Sequence, residues 1–161
     1  MVDLFAYLFG IAGVLTNCIM YRRKDRQALL KAKLVSDILW GMHYFLISAY
    51  SGAITCAIAI LREIVFLNRS HSLAKSQLWL VGFLLCNATS ICLTWKGIVS
   101  VIPALASMIS IFLFWIGNPD LTRRVQIPIS LAYFVYNFSN RSYLGMLNEV
   151  LSLLSIFTFR K

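Results

Sequence analysis

Residues 4–21 read LFAYLFGIAGVLTNCIMY, and residues 22–33, directly after them, read RRKDRQALLKAK. The first stretch holds no charged side chain. At ~1.5 Å per residue it rises about 27 Å, close to the ~30 Å thickness of bilayer hydrocarbon. The second stretch puts six basic residues, Arg22, Arg23, Lys24, Arg26, Lys31 and Lys33, into the connection that follows. An uncharged run closed by a basic loop reads as a membrane span whose following loop stays in the cytosol.

The same alternation runs through the rest of the chain. Further apolar blocks cover Leu34–Tyr50, Ala53–Leu67, Gln77–Trp95, Ile98–Ile116, about Val125–Asn140, and Tyr143–Phe159. The third and sixth blocks are short, which suits a tilted or locally irregular helix. The blocks are continuous rather than alternating, which disfavours the strands of an outer-membrane barrel. The expectation is an all-α integral membrane protein, a single transmembrane domain over 1–161 with seven transmembrane helices.

Loop charges orient it. With seven spans, one side receives the six basic residues of the first loop, then Arg69, Lys75, Arg123, Arg124, Arg160 and Lys161. The other side receives only Lys96 and Arg141, and Arg62 lies inside the third block. Twelve against two predicts the N-terminus outside and the C-terminus in the cytosol. A six-span reading would scatter these charges onto both sides.

Composition agrees. Hydrophobic residues make up 60% and charged residues 13%, against about half and about a quarter in soluble domains. The net charge of +9 sits in short loops, so membrane lipids are the expected partners and nucleic acid is not. Cys18, Cys56, Cys86 and Cys92 all fall in apolar blocks without a CxxC pair, and read as buried small hydrophobes. No basic n-region or cleavage site precedes the first block, so a cleaved signal peptide is not expected. No metal or cofactor motif occurs, and none is expected.

An ungapped offset of 93 aligns the first three blocks with the last three. It superposes Phe45 on Phe138, Tyr50 on Tyr143, Gly52 on Gly145, Trp40 on Tyr133, Thr55 on Asn148, Lys31 on Arg124 and Gly10 on Pro103. Span edges and loop positions coincide as well. Two parallel three-helix repeats, about 4–67 and 98–159, joined by a linker helix at about 77–95, follow from it.

This 3+1+3 plan resembles that of SWEET sugar transporters and the wider PQ-loop group. Asp37-Ile-Leu-Trp40-Gly-Met-His43-Tyr44 resembles their Trp-containing second helix, Asn148 their last-helix asparagine, and Pro103 the proline of their first repeat helix. The chain departs from them in lacking a Pro-Gln pair, in Gly10, and in Thr55 where an asparagine would stand. A closer resemblance is to the YgjV family of bacterial inner-membrane proteins, through His43-Tyr44-Phe45-Leu46, Ile60-Leu61-Arg62, Asn137-Phe138 and Glu149. That resemblance implies this fold and suggests transport, without a substrate.

Ionisable side chains inside spans cost roughly 2.5–3.5 kcal/mol each unless paired or hydrated, and so mark candidate sites. Asp37 and Arg62 lie roughly 5–8 Å below the cytosolic boundary, and are expected to pair, as a gate or as a structural ion pair. His43 and Glu149 lie roughly 13–15 Å deep; either they face each other between the halves or, the favoured reading, His43 hydrogen-bonds a backbone carbonyl and Glu149 is buried neutral. Glu63 is close enough to the cytosolic end to snorkel, and so weighs less as a site candidate. Gly145, Asn148, Glu149, Ser152 and Ser155 form a polar stripe at helical spacing on the seventh block. Tyr133, Tyr136, Asn137 and Asn140 do so on the sixth, and Asp37, Trp40, Gly41, Tyr44 and Ser48 on the second. Small and polar residues also serve plain helix packing. Aromatics flanking a few midplane polar groups, however, suit a small polar solute.

The expected solute site is therefore Trp40, His43, Tyr44, Thr55, Tyr133, Asn137, Asn148 and Glu149. The leading function is a small-solute transporter or permease, with Glu149 as a candidate for proton coupling. The alternative is a non-transporting receptor or scaffold of the same fold, and an enzyme ranks third. Oligomeric state is left open, with a homo-oligomer allowed.

Overall fold

The computed structural model describes residues 2–69, 71 and 73–158. The expected end of the seventh span at Phe159 and the basic pair Arg160 and Lys161 lie outside these residues. Among the described residues there are seven α-helices, two short 3₁₀ turns and no strand. The α-helices are α1 (Val2–Tyr21), α2 (Arg26–Leu46), α3 (Tyr50–Leu67), α4 (Leu78–Leu93), α5 (Ile102–Ile116), α6 (Pro119–Ser139) and α7 (Tyr143–Thr158).

Two helices begin well before the apolar block that announced them, and both carry an N-cap there. α2 starts at Arg26 rather than Leu34, where the Asp25 carboxylate accepts from the Ala28 backbone N–H at 2.8 Å. α6 starts at Pro119 rather than Val125, where Asn118 Oδ1 accepts from the N–H groups of Asp120 and Leu121. A carboxylate or amide cap satisfies orphan donors of the first turn, and proline fits that turn without loss. Hydropathy alone misses these turns because their outward faces are basic. The fifth block divides into a 3₁₀ turn over Ile98–Val101 and α5, with Pro103 in the first turn of α5.

Six helices close into a ring: α1 packs on α2, α2 on α3, α3 on α5, α5 on α6, α6 on α7, and α7 back on α1. α4 packs on α3 and α5. It buries only Phe83, Asn87 and Ser90, and so lies at the periphery.

The ring is polar inside and apolar outside. Asn17, Ser36, Asp37, Thr55, Arg62, Glu63, Asn148 and Glu149 are buried. Leu61, Leu85, Ile116 and Phe138 are 60–67% exposed. In water so large an apolar surface would drive association, whereas lipid solvates it without cost. α1, α3 and residues 98–116 are long and apolar enough to cross a membrane; α4 and α7 are apolar but shorter.

One end of the ring gathers the basic loops. Arg123 donates to the carbonyls of Tyr21 and Arg23, Arg26 to that of Phe114, and Arg69 to that of Trp115. These bonds place the α1–α2, α3–α4 and α5–α6 connections together and occupy the last carbonyls of α1 and α5 with cations.

Candidate functional site

At the centre of the ring is a cavity of about 80 Å³ walled by all six ring helices. Asn17 and Tyr21 face it from α1, Asp37, Trp40 and Tyr44 from α2, and Thr55, Cys56 and Arg62 from α3. Ser107 and Ser110 face it from α5, Gln126 and Tyr133 from α6, and Asn148 and Glu149 from α7. At ~10–15 Å³ per water, the space holds a handful of water molecules or a solute of similar bulk.

A chain of hydrogen bonds runs along one wall. Ser36 Oγ donates to Asn17 Oδ1 at 2.7 Å, Asn17 Nδ2 to Asn148 Oδ1 at 2.9 Å, and Asn148 Nδ2 to Glu149 Oε1 at 3.0 Å. On the facing wall Gln126 Nε2 donates to Ser130 Oγ at 3.2 Å. The amides thus act as two-sided connectors, each accepting on oxygen and donating on nitrogen. The carboxyl at the end of the chain is held by its neighbour Asn148 on α7.

Of the expected site residues, Trp40, Tyr44, Thr55, Tyr133, Asn148 and Glu149 line this cavity, together with Asp37 and Arg62. His43 and Asn137 do not. His43 does not face Glu149 but takes the other expected partner, a backbone carbonyl: it is buried with Nδ1 2.9 Å from the Ala6 carbonyl and Nε2 2.8 Å from Ser142 Oγ. A carbonyl only accepts, so Nδ1 carries the hydrogen, and in the neutral ring Nε2 accepts from the hydroxyl. Depth matched His43 to Glu149, but its side of α2 turns it to α1 and the start of α7. Asn137 accepts from the Tyr44 hydroxyl at 2.9 Å.

The expected Asp37–Arg62 ion pair is corrected. Asp37 pairs with Lys33 one turn earlier on α2, the i,i+4 spacing that brings side chains together. Arg62 pairs with its neighbour Glu63, Nη2 lying 2.6 Å and Nε 3.2 Å from Oε1. It also donates to the Ser107 carbonyl at 3.3 Å, with its guanidinium carbon 5.1 Å from the Phe114 ring centre. Glu63 does not snorkel; it is fully buried. A buried arginine needs its charge met at once, and the adjacent carboxylate does so more cheaply than one on another helix.

Beyond the cavity, away from the basic loops, lies a layer of bonds between helices. The Tyr136 hydroxyl accepts from the Gly52 N–H at 2.9 Å and lies 2.9 Å from Ser51 Oγ. Together with Tyr44–Asn137 and His43–Ser142 it ties the α2–α3 corner to the α6–α7 corner. Sequence reasoning placed Tyr136 on a polar stripe without a partner. It gave no role to Lys33, Ser36 or Gln126; Lys33 was findable through its four-residue spacing from Asp37.

A polar-lined, apolar-coated ring of helices with basic loops gathered at one end defines an all-α integral membrane protein with a central cavity. The chain belongs to the Imp-YgjV family, described as a bacterial inner membrane protein, whose family model matches residues 4–159. No curated protein and no solved structure matches the chain.

Proposed function

We propose that the protein is a small-solute transporter that binds its solute in the central cavity and moves it without chemical change. The observation that carries this reading is the wall of the cavity. Positions 93 residues apart face it together: Asn17 with Ser110, Lys33 with Gln126, Trp40 with Tyr133, Thr55 with Asn148, and Cys56 with Glu149. The neighbour order also repeats, α1–α2–α3 in one half and α5–α6–α7 in the other. Both features support two parallel repeats about one site, the arrangement in which rocking one repeat on the other exposes a fixed site alternately.

Trp40 and Tyr133 supply apolar faces, and Asn148, Thr55 and Glu149 supply bonding groups, which suits a small polar solute. The layer from Tyr44–Asn137 to Tyr136–Gly52 is the gate on the far side from the basic loops. With the basic end cytosolic, that gate is the periplasmic one, and the C-terminus lies inside. Thermal melting of purified protein across a library of small polar solutes tests the reading. A solute that raises the melting temperature of the wild type, but not of Asn148→Ala, is expected. A library of sugars, amino acids and organic acids that leaves the wild type unmoved contradicts it.

A further inference from the structure

The basic end of the ring carries a second pocket, whose chemistry does not depend on the transport reading. It lies between the start of α2 and the connection after α3, and is lined by Arg26, Gln27, Leu67, Arg69 and Lys75. Three of these are cations and none is an acid. Arg22, Arg23, Lys31 and Arg124 are exposed to solvent, but Arg26 and Arg69 are half-buried. Both are held against the last turn of α5. Arg26 Nη2 donates to the Phe114 carbonyl at 3.2 Å, and Arg69 Nη1 to the next carbonyl, that of Trp115, at 2.7 Å. The Arg69 guanidinium carbon also stands 3.8 Å from the centre of the Trp115 ring. Bonds to successive carbonyls bring two guanidinium groups side by side.

Like charges so placed repel unless an anion joins them. The chain's own side-chain carboxylates do not supply one, and there are only six. Asp3 is in the first turn of α1, at the opposite end of that helix from the basic loop. Asp37, Glu63 and Glu149 are buried inside the ring. Asp25 caps α2, and Asp120 meets Arg123. Among the described residues, no carboxylate lies within ion-pair distance of Arg26, Arg69 or Lys75. A guanidinium has five N–H donors, and the α5 carbonyls take one from each arginine, so both keep donors for a ligand.

We infer that this pocket binds the phosphate of an anionic phospholipid headgroup. Forked arginine donors match paired phosphate oxygens, and a lysine adds a point charge. The remaining wall argues for a lipid rather than a free anion. Leu67 continues, at helical spacing, the stripe of Ile64 and Leu61 on α3, which are 44% and 60% exposed. That stripe leads from the pocket into the hydrocarbon zone and offers an acyl chain a track beneath its headgroup. Basic pockets at the cytosolic interface hold anionic headgroups in this way. Bound there, the phosphate neutralises the two cations that fasten the α1–α2 and α3–α4 connections to α5.

Native mass spectrometry of the purified full chain, with phosphatidylglycerol or phosphatidylcholine added, reads the bound lipid directly. The wild type is expected to retain phosphatidylglycerol and to lose phosphatidylcholine under the same activation. Lys75→Gln should weaken retention about fivefold, and Arg26→Gln with Arg69→Gln roughly twentyfold, following the contribution of each basic side chain near a membrane surface. Arg22→Gln with Arg23→Gln removes the same charge outside the pocket and should retain the lipid as the wild type does. If the arginine pair fails to fold, Lys75→Gln against Lys31→Gln makes the same comparison with exposed side chains alone. Equal retention of the two lipids overturns the proposal, and so does equal loss in pocket and control variants. Displacement of phosphatidylglycerol by inorganic phosphate would show a free-anion site and overturn the lipid assignment.

Discussion

The Tyr44 hydroxyl donates to Asn137 Oδ1 at 2.9 Å, and these two residues stand 93 positions apart. That is the offset that superposes Trp40 on Tyr133 and Thr55 on Asn148. A bond between matched positions ties the α2 and α6 ends together. Tyr44 is packed with its ring 5.8 Å from that of Tyr136, and Asn137 Nδ2 has no partner. Asn137 therefore depends on Tyr44 for the bond to its oxygen. Tyr44→Phe keeps the packing and removes only the hydroxyl. It should lower stability by about 1 kcal/mol, as hydrogen bonds between membrane helices contribute, read as an earlier thermal unfolding in detergent. An unchanged melt would show that the bond is not formed.

Gly145 lies where α7 crosses Asn137. A Cβ there would sit 2.5 Å from Asn137 Cγ and 2.7 Å from Ser142 Oγ, while one at Gly82 on α4 would meet nothing within 4 Å. Gly145→Ala should destabilise by roughly 1–3 kcal/mol through overpacking. Gly82→Ala should be neutral or slightly stabilising, because alanine favours a helix. Equal melting of the two variants would contradict the packing.

Arg62 and Glu63 form a pair with 1% and 0% side-chain exposure. Removing one partner of a buried pair strands the other, at about 3–5 kcal/mol. Arg62→Met should therefore unfold more readily than the double variant Arg62→Met with Glu63→Gln. A double variant less stable than the single would refute the pairing.

Much of this was legible in the sequence, and the reason is physical. A lipid-facing helix must be apolar, so a polar residue at helical spacing inside a span is turned inward; Trp40, Tyr133, Asn148 and Glu149 were found that way, and Thr55 through its match to Asn148 at the offset of 93. Basic loops mark one end because charge stays out of hydrocarbon. Partner choice was not legible. Depth along a helix follows from counting residues, but the rotation of a helix about its axis depends on how its neighbours pack. His43 and Glu149 match in depth and still face different neighbours. Asp37 and Arg62 each found a closer partner in Lys33 and Glu63. Helix starts hidden under basic turns, at Arg26 and Pro119, needed the caps at Asp25 and Asn118 rather than hydropathy.

The basic end should face the cytosol. A reporter fused to the C-terminus is expected to be active when it requires the cytosol, and silent when it requires the periplasm. The reverse pattern would invert the proposed gate.

Transport itself is tested most directly by uptake into proteoliposomes of a solute that stabilises the wild type. Wild-type protein should carry that solute above empty liposomes, and Asn148→Ala should carry it ~tenfold less. A tenfold loss corresponds to about 1.4 kcal/mol, within the range for losing a hydrogen-bonding group from a buried site. Binding without uptake by the wild type, or uptake undiminished in Asn148→Ala, would contradict a solute path through the central cavity.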